Sequence, residues 1–427
     1  MLNYYLKLAL ISFKRAPTLY FLVILTLSVG VGLVSANLAL VNTMVSDPIP
    51  EKSHNLLHVS VNNWPNEDPP QQPFHLLRYR DAKAVLDANI GKRATMFYET
   101  GVYARDADST NLKRFDSSVR ATTPDFFELT NAPFAYGTSF KQSTTKEVVI
   151  GHELNQKIFD GQNSVGKTLE LDGNLLTIVG VLKPWNLRPL FYHATENRAF
   201  NKTEDLFAPI ETAIDLGWSV HGRSMSTVEY RGIEHNRNRN VFFLQAWVEV
   251  EGENQKRELQ NYLDNYSQGL KDNGEHPLEV KNELHNVNEW LTKLKIVEQK
   301  VLAFTLASVL FLCVCIFNAS SLLLSRFHAA KFEVGLRRAI GASNKHMLVQ
   351  GLVESLVVGV IAAIVSLLLS WMFLSLSSNF LPALSNMAVL DAKIFFLCVA
   401  LAFLTSIVSA LYPLYRANRY TISAELK

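Results

Sequence analysis

The chain is poor in cysteine, and the few it has lie where they cannot staple a fold. Of 427 residues only Cys313, Cys315 and Cys398 are cysteine, all inside apolar stretches. No disulfide framework is available to the rest of the chain even in an oxidising compartment, so its stability has to come from an ordinary core. Cys313 and Cys315 alone cannot complete a tetrahedral shell and read as packing or lipid-facing residues rather than a metal site. The histidines from His54 to His285 have no metal-ligand spacing, which speaks against a membrane-anchored metalloenzyme. A dominant charge is missing as well: 41 Lys and Arg stand against 39 Asp and Glu, and the cations cluster at a few points that have a simpler explanation than nucleic acid.

Charge is absent from four long blocks. Thr18 to Ser46 is uncharged, as is Val301 to Ser325; Lys345 is followed by a run broken only by Glu354 as far as Leu390; Ile394 to Tyr415 is the fourth. A bilayer core about 30 Å thick takes roughly 20 helical residues to cross, so each block is long enough to span. The cations flank them unevenly. Lys7, Lys14 and Arg15 precede the first block, Arg326, Lys331, Arg337, Arg338 and Lys345 separate the second from the third, and Arg416, Arg419 and Lys427 follow the fourth. By the positive-inside rule both termini and the second-to-third loop are cytoplasmic, and the net-acidic segment between the first two blocks is outside.

The first block is expected to be an uncleaved anchor. Val34-Ser35-Ala36 would pass as a cleavage site, but the apolar run continues to about Val45, beyond the roughly 7–15 residues of a signal h-region. Ser28, Gly32 and Ala36 recur every fourth position and line one stripe of this helix with small residues, where another helix can approach closely. Ahead of it, Leu2, Leu6, Ala9, Leu10 and Phe13 form an apolar face suited to a short helix in the membrane interface. Glu354, an ionisable residue in the third block, sits about three turns from Lys345 and reads either as functional or as an interfacial structural residue.

The external segment mixes both periodicities. Strands are expected at Leu56–Val61, Thr95–Ala104, Asn111–Val119, Val241–Val250 and His276–Leu284. Helices are expected at Phe74–Ala88, at Pro124–Leu129 with Thr123 as N-cap, and at Asn254–Leu270. Leu187–Arg239 reads partly as loop. From Asn286 to Leu302 the spacing predicts a helix running unbroken into the second span, a rod able to carry motion. The fold class is thus a membrane protein of four transmembrane α-helices plus a large α+β extracytoplasmic domain of two subdomains. Its parts are an interfacial helix (1–17), a first span (18–46), an external domain (47–298) with an inserted subdomain at about 138–240, and a second span (299–325) continuing from the stalk helix. A coupling loop (326–346), a third span (347–375), a connector (376–393), a fourth span (394–415) and a tail (416–427) complete it.

Gly161-Gln162-Asn163-Ser164-Val165-Gly166-Lys167-Thr168 satisfies the phosphate-loop pattern in full. The chemistry needs a strand before the loop and a helix after it, whose first amides hold the phosphates. Here the order is reversed: His152–Phe159 has helical spacing, and Leu169–Asn174 with Leu175–Val181 alternates like a hairpin turning at Asp172-Gly173. No nucleotide site is expected there.

Thr123-Pro124-Asp125-Phe126-Phe127-Glu128, then Gly137, Val148-Val149-Ile150, Leu154, Phe159, Gly166-Lys167-Thr168 and Ile178-Val179-Gly180-Val181-Leu182 resemble the periplasmic core domain of MacB-type ABC exporters. The run from Arg326 to Ser343 resembles the FtsX-like permease signature. The resemblance implies a coupling helix that docks on a separate ATPase through Glu333, Gly335, Arg337, Arg338, Gly341, Ala342 and Ser343. On physical grounds Arg337 and Arg338 suit a partner's carboxylates or carbonyls, while Gly341 ends a helix and Ser343 caps the next. The tail, with Pro413, Arg416 and Arg419, resembles the family's second ATPase contact, although Ile422 stands in place of the usual proline and Ala424-Glu425 are in swapped order.

This resemblance implies a permease in the bacterial inner membrane, working with a second copy or a paralogue. ATP and Mg would be bound by the ATPase subunit, with no cofactor in this chain, and a periplasmic adaptor and outer-membrane channel are candidate partners. Export of a peptide, toxin or antibiotic is the expected function. Lipoprotein release and control of cell-wall hydrolases are the alternatives it leaves open.

Overall fold

Long uncharged blocks become long helices, and the mixed segment between the first two becomes a sheet domain. The computed structural model describes residues 2–68, 75–110, 112–193, 198–226, 237, 241–296, 299–329, 336, 343–380 and 392–418. The chain opens with α1 (Leu2–Arg15) and the first span, α2 (Pro17–Val45). The domain follows with β1 (Leu56–Ser60), β2 (Leu77–Arg78), α3 (Tyr79–Asp87), β3 (Arg93–Asp106), β4 (Phe115–Thr122), α4 (Phe126–Leu129), β5 (Phe134–Gly137) and β6 (Glu147–Ile150). It continues with α5 (His152–Phe159), β7 (Thr168–Leu171), β8 (Asn174–Leu182), β9 (Leu206–Pro209), α6 (Ile210–Asp215) and β10 (Met225–Ser226). It closes with β11 (Val241–Glu249), α7 (Glu253–Asp272), β12 (Glu283–Asn286) and α8 (Val287–Lys293). The remaining spans are α9 (Gln299–Ala329), α10 (Asn344–Phe380) and α11 (Ala392–Asn418). Two compact units result, Ser46–Ile296 and the helices on either side of it in sequence.

In the domain the strands are ordered β12-β1-β11-β3-β4-β9-β6-β8-β5, with β2 and β10 on β11 and β7 joining β3 to β8. β11 is buried along its whole length, as its Val-Phe-Phe-Leu start requires. The stretch 138–240 is not set apart as a second body. Its strand β9 pairs in parallel with β4, and Val148, Ile178 and Leu206 share one core with Leu57, Val119 and Val248. Within Leu187–Arg239, expected to be partly loop, the described residues form β9, α6, β10 and a 3-10 turn at Phe191–His193.

Other expectations shift for identifiable reasons. The helix expected from Phe74 starts only at Tyr79, because Leu77 and Arg78 are taken by pairing with β11. Arg78 is held there by its own turn: its Nε donates to Asp81 Oδ2 at 2.7 Å. The strand expected from Asn111 begins at Phe115. Thr123 does not cap α4, whose N-cap is Asp125; the Thr123 hydroxyl donates instead to Thr95 Oγ1 at 2.9 Å. In place of a strand over His276–Leu284, only Glu283–Asn286 pairs, with β1.

The largest correction concerns the rod. α8 stops at Lys293, and Lys295 has φ +50°. The Lys295 amide donates to Thr292 O at 3.0 Å and the Ile296 amide to Leu291 O at 3.4 Å, a Schellman termination in which Leu291 and Ile296 are both buried. Satisfied carbonyls and an apolar clasp thus end the helix before the second span begins, so no unbroken helix joins Asn286 to Leu302.

The apparent phosphate loop has the reversed order in three dimensions: α5 comes before it and β7 after it. Lys167 lies with Nζ 4.7 Å from the centre of the Phe159 ring, and Ser164 donates to Asn155 Oδ1 at 2.7 Å. Asp172 and Gly173, with φ +48° and +85°, make the two-residue turn of the β7–β8 hairpin.

Candidate coupling site

The two spans on either side of residues 330–342 in sequence carry opposite charges that meet. Arg326 is near the end of α9 and Glu354 lies in the third turn of α10; Arg326 Nη1 is 2.5 Å from Glu354 Oε1, a contact of charges rather than an aligned hydrogen bond. Arg326 Nη2 donates to Ser12 Oγ on α1 at 2.9 Å. Its guanidinium stands 5.2 Å from the ring centres of Tyr20 and of Phe327, and Tyr20 stacks on Phe13 at 4.1 Å. A single side chain thus touches all of α1, α2, α9 and α10. A small cavity of about 10 Å³ adjoins it, walled by Tyr20, Gly351, Glu354 and Ser406. Pairing and hydrogen bonding are what allow ionised groups to sit among apolar helices; leaving either one unpaired there is costly.

Of the residues assigned to ATPase coupling, Glu333, Gly335, Arg337, Arg338, Gly341 and Ala342 lie outside the described residues. Ser343 is described and exposed. Its Oγ accepts from the His346 amide at 3.4 Å and lies 2.6 Å from His346 Nδ1, the geometry of a cap on α10. Arg416 is exposed near the end of α11 and donates to the Tyr412 hydroxyl at 3.4 Å; Arg419 lies outside the described residues.

The small-residue stripe of α2 faces α10. Ser28 Oγ donates to Ala362 O at 3.3 Å, Ser370 Oγ donates to Gly32 O at 2.9 Å, and a Cβ on Gly32 would stand 3.0 Å from Leu369 Cβ. Ala36 is buried beside Leu374 and Ile394. Small side chains let the backbones come close enough for hydroxyls on each helix to reach the carbonyls of the other. By contrast α9 leaves Phe304, Leu310 and Phe317 exposed along its outer side.

A buried ionic cluster in the domain had no mark in the sequence. Arg120 Nε donates to Glu204 Oε1 at 2.9 Å, across 84 residues. Tyr192 donates to Glu204 Oε2 at 3.3 Å, while His193 Nε2 and Arg198 meet Glu99 at 2.8 and 2.9 Å. Burial pushes the Glu99 carboxyl up, but the His193 hydrogen bond and the charges of His193, Arg120 and Arg198 outweigh it and bring it down to about 2. The adjoining cavity of about 30 Å³ has room for little more than a water molecule, so the cluster reads as a fastening of the 190–204 connection onto β3 and β4. Among the described residues no three His, Cys, Asp or Glu side chains converge on a metal position.

Fold and site together define a membrane protein with four spanning helices and an α/β domain inserted between the first and second. The MacB-like periplasmic core domain family matches residues 20–266, and the FtsX-like permease C-terminal family matches residues 305–422. The chain belongs to the MacB/FtsX-type ABC transporter permeases. Neither matched region is an ATPase domain. Similar solved structures include the periplasmic region of MacB from Actinobacillus actinomycetemcomitans, 12% identical over 57% of this chain and 94% of that one, with a TM-score of 0.36. Another is the extracellular domain of the noncanonic ABC-type transporter YknZ from Gram-positive bacteria, 12% identical over 54% of this chain and 100% of that one, TM-score 0.35. A third is a domain of a permease protein from Porphyromonas gingivalis, 15% identical over 55% of this chain and 90% of that one, TM-score 0.36. Among curated proteins none matches the chain.

Proposed function

We propose that this chain is the permease subunit of a mechanotransmitting ABC transporter, in which a separate ATPase subunit, holding ATP and Mg, moves the periplasmic domain through the spans. The observation that carries the reading is the way the domain hangs on its chain. The segment following the first span and the segment leading to the second are fastened to each other: β1 pairs with β12, the Val287 amide donates to Ser53 O at 3.2 Å, and Asn288 donates to Asp47 at 3.0 Å. A shift of the first span against the second is therefore delivered to the edge of the central sheet. The FtsX-like match supports placing the ATPase contact in the loop 326–346, with both termini in the cytoplasm of a bacterium and the domain in the periplasm. The cargo is a periplasmic substrate passed to an adaptor and outer-membrane channel, from two permease copies or a copy and a paralogue.

Purification of the tagged chain from native membranes tests this. Recovery of an ABC ATPase with a periplasmic adaptor is the expected result. Recovery of a cell-wall hydrolase without an adaptor overturns export, and recovery without any ATPase overturns the coupling to a separate ATPase subunit.

A further inference from the structure

Where the chain comes into and leaves the domain, β1 carries a histidine in an unusual setting. His58 is fully buried; its ring lies flat on Trp290 of α8, centres 3.6 Å apart and planes 11° apart, and meets Trp247 of β11 edge-on at 5.3 Å. Nδ1 is 3.3 Å from Ser60 Oγ, and Nε2 makes no hydrogen bond among the described residues. Trp290 in turn is the anchor of α8. It is fully buried, donates from Nε1 to Phe191 O at 3.2 Å, and is touched by His75 at 5.9 Å and His285 at 6.3 Å.

Charged and titratable groups surround the ring on several elements. β12 supplies His285, the direct cross-strand partner of His58, and Glu283; α8 supplies Lys293 and Glu289; α7 supplies Lys256; His75 stands before β2. β11 offers the uncharged Trp247, and the turn at Phe191–His193 sets its one titratable side chain, His193, against Glu99. Glu283 is engaged by Lys293 and lies 3.5 Å from His285, so among the described residues no carboxylate pairs with His58. Burial first, and then the charges of His75, His285 and Lys293, hold the His58 imidazole well below its ordinary value, against a weaker pull from the His75 backbone.

We propose that His58, Trp247 and Trp290 form an acid-sensitive catch: uptake of a proton on His58 unstacks it from Trp290 and releases α8, and with it the outbound chain, from the sheet. An imidazolium in that slot would be a buried charge with no counter-ion among the described residues, which the packing cannot accommodate. The sign follows from the depressed folded value: the catch is closed above the ordinary histidine value of 6.5 and is lost as pH falls below it towards the folded value. This regulation of the domain's attachment does not depend on which cargo or partner the permease serves.

Hydrogen exchange by mass spectrometry on the full chain in detergent, corrected for intrinsic amide rates, reads the catch directly. Between pH 7.5 and 5.0 the amides of residues 287–293 are expected to exchange at least about tenfold faster, with those of β3 and β4 unchanged. In His58→Phe, which keeps the stack and removes the proton site, the acceleration disappears. A second variant guards against misfolding of the first: His285→Gln removes a ring whose own protonation on acidification competes with that of His58, and shifts the opening to higher pH. An absent acceleration in the wild type, an equal acceleration in His58→Phe, or an unmoved midpoint in His285→Gln overturns the proposal.

Discussion

The side-chain amide of Asn288 donates to the Asp47 carboxylate at 3.0 Å, joining two residues that lie 241 positions apart. One follows the first span and the other begins the helix that leads towards the second. Burial pushes the Asp47 carboxyl up, but the neighbouring Ser53 hydroxyl, the Ile49 amide and Asn288 outweigh it and hold it below the usual carboxylate range. Because the folded value is depressed, this contribution is present above the ordinary value of 3.8 and is lost as pH falls through the folded one. Asp47→Ala is expected to destabilise the domain by about 1 kcal/mol at pH 7, a hydrogen-bonded charge discounted for its partial exposure. The check is thermal melting at pH 7 and pH 3: the penalty of the substitution shrinks at the lower pH.

The intramembrane pair makes a sharper prediction. Glu354→Leu or Arg326→Leu alone leaves an uncompensated charge among apolar helices and is expected to cost about 3–5 kcal/mol. The double variant removes both charges and is expected to be more stable than either single one. Thermal aggregation of the detergent-solubilised chain ranks the three.

Lys295 ends α8 at φ +50°, where a side chain is strained and glycine is not. Lys295→Gly should stabilise the domain by about 0.5–1 kcal/mol through the same termination. A loss of stability would mean that the Lys295 side chain, rather than the backbone turn, secures the helix end. Denaturant titration distinguishes the two.

The α2–α10 contact is tight enough to test by one branched residue. A Cβ on Gly32 already stands 3.0 Å from Leu369 Cβ and 3.2 Å from Ser366 O, so Gly32→Val has to push α10 away and break the Ser370 bond to Gly32. A loss of about 1–3 kcal/mol is expected, read as a lower melting temperature, with Gly32→Ala intermediate.

What was legible in the sequence was whatever is written in local pattern. Charge-free length located all four spans, helical spacing located His152–Phe159, and Asp172-Gly173 marked its turn because both positions need positive φ. The reversed order around Gly166-Lys167 was readable for the same reason. Long-range partnerships were not. Nothing in the spacing joins Arg120 to Glu204, and Leu77 and Arg78 fit a helix until β11 claims their backbone. A lysine at the end of α8 gives no sign of a left-handed turn, so the periodic run from Asn286 looked continuous when the Schellman bonds cut it. At the coupling site, Glu354 was visible as a lone acid in an apolar block, but its partner Arg326 looked like one more flanking cation.

The central claim is that ATP turnover in a partner subunit reaches the domain through the fastened segments at Asp47–Ser53 and α8. Hydrogen exchange of residues 47–53 and 287–296 in the membrane-reconstituted complex, with and without the partner ATPase trapped with ADP and vanadate after ATP cleavage, measures it most directly. Changed protection in both segments on trapping, abolished by Arg337→Glu with Gly341→Trp while the domain melts normally, is the predicted result. Identical exchange in the two states while the ATPase turns over, or a change that persists in the loop variant, would contradict it.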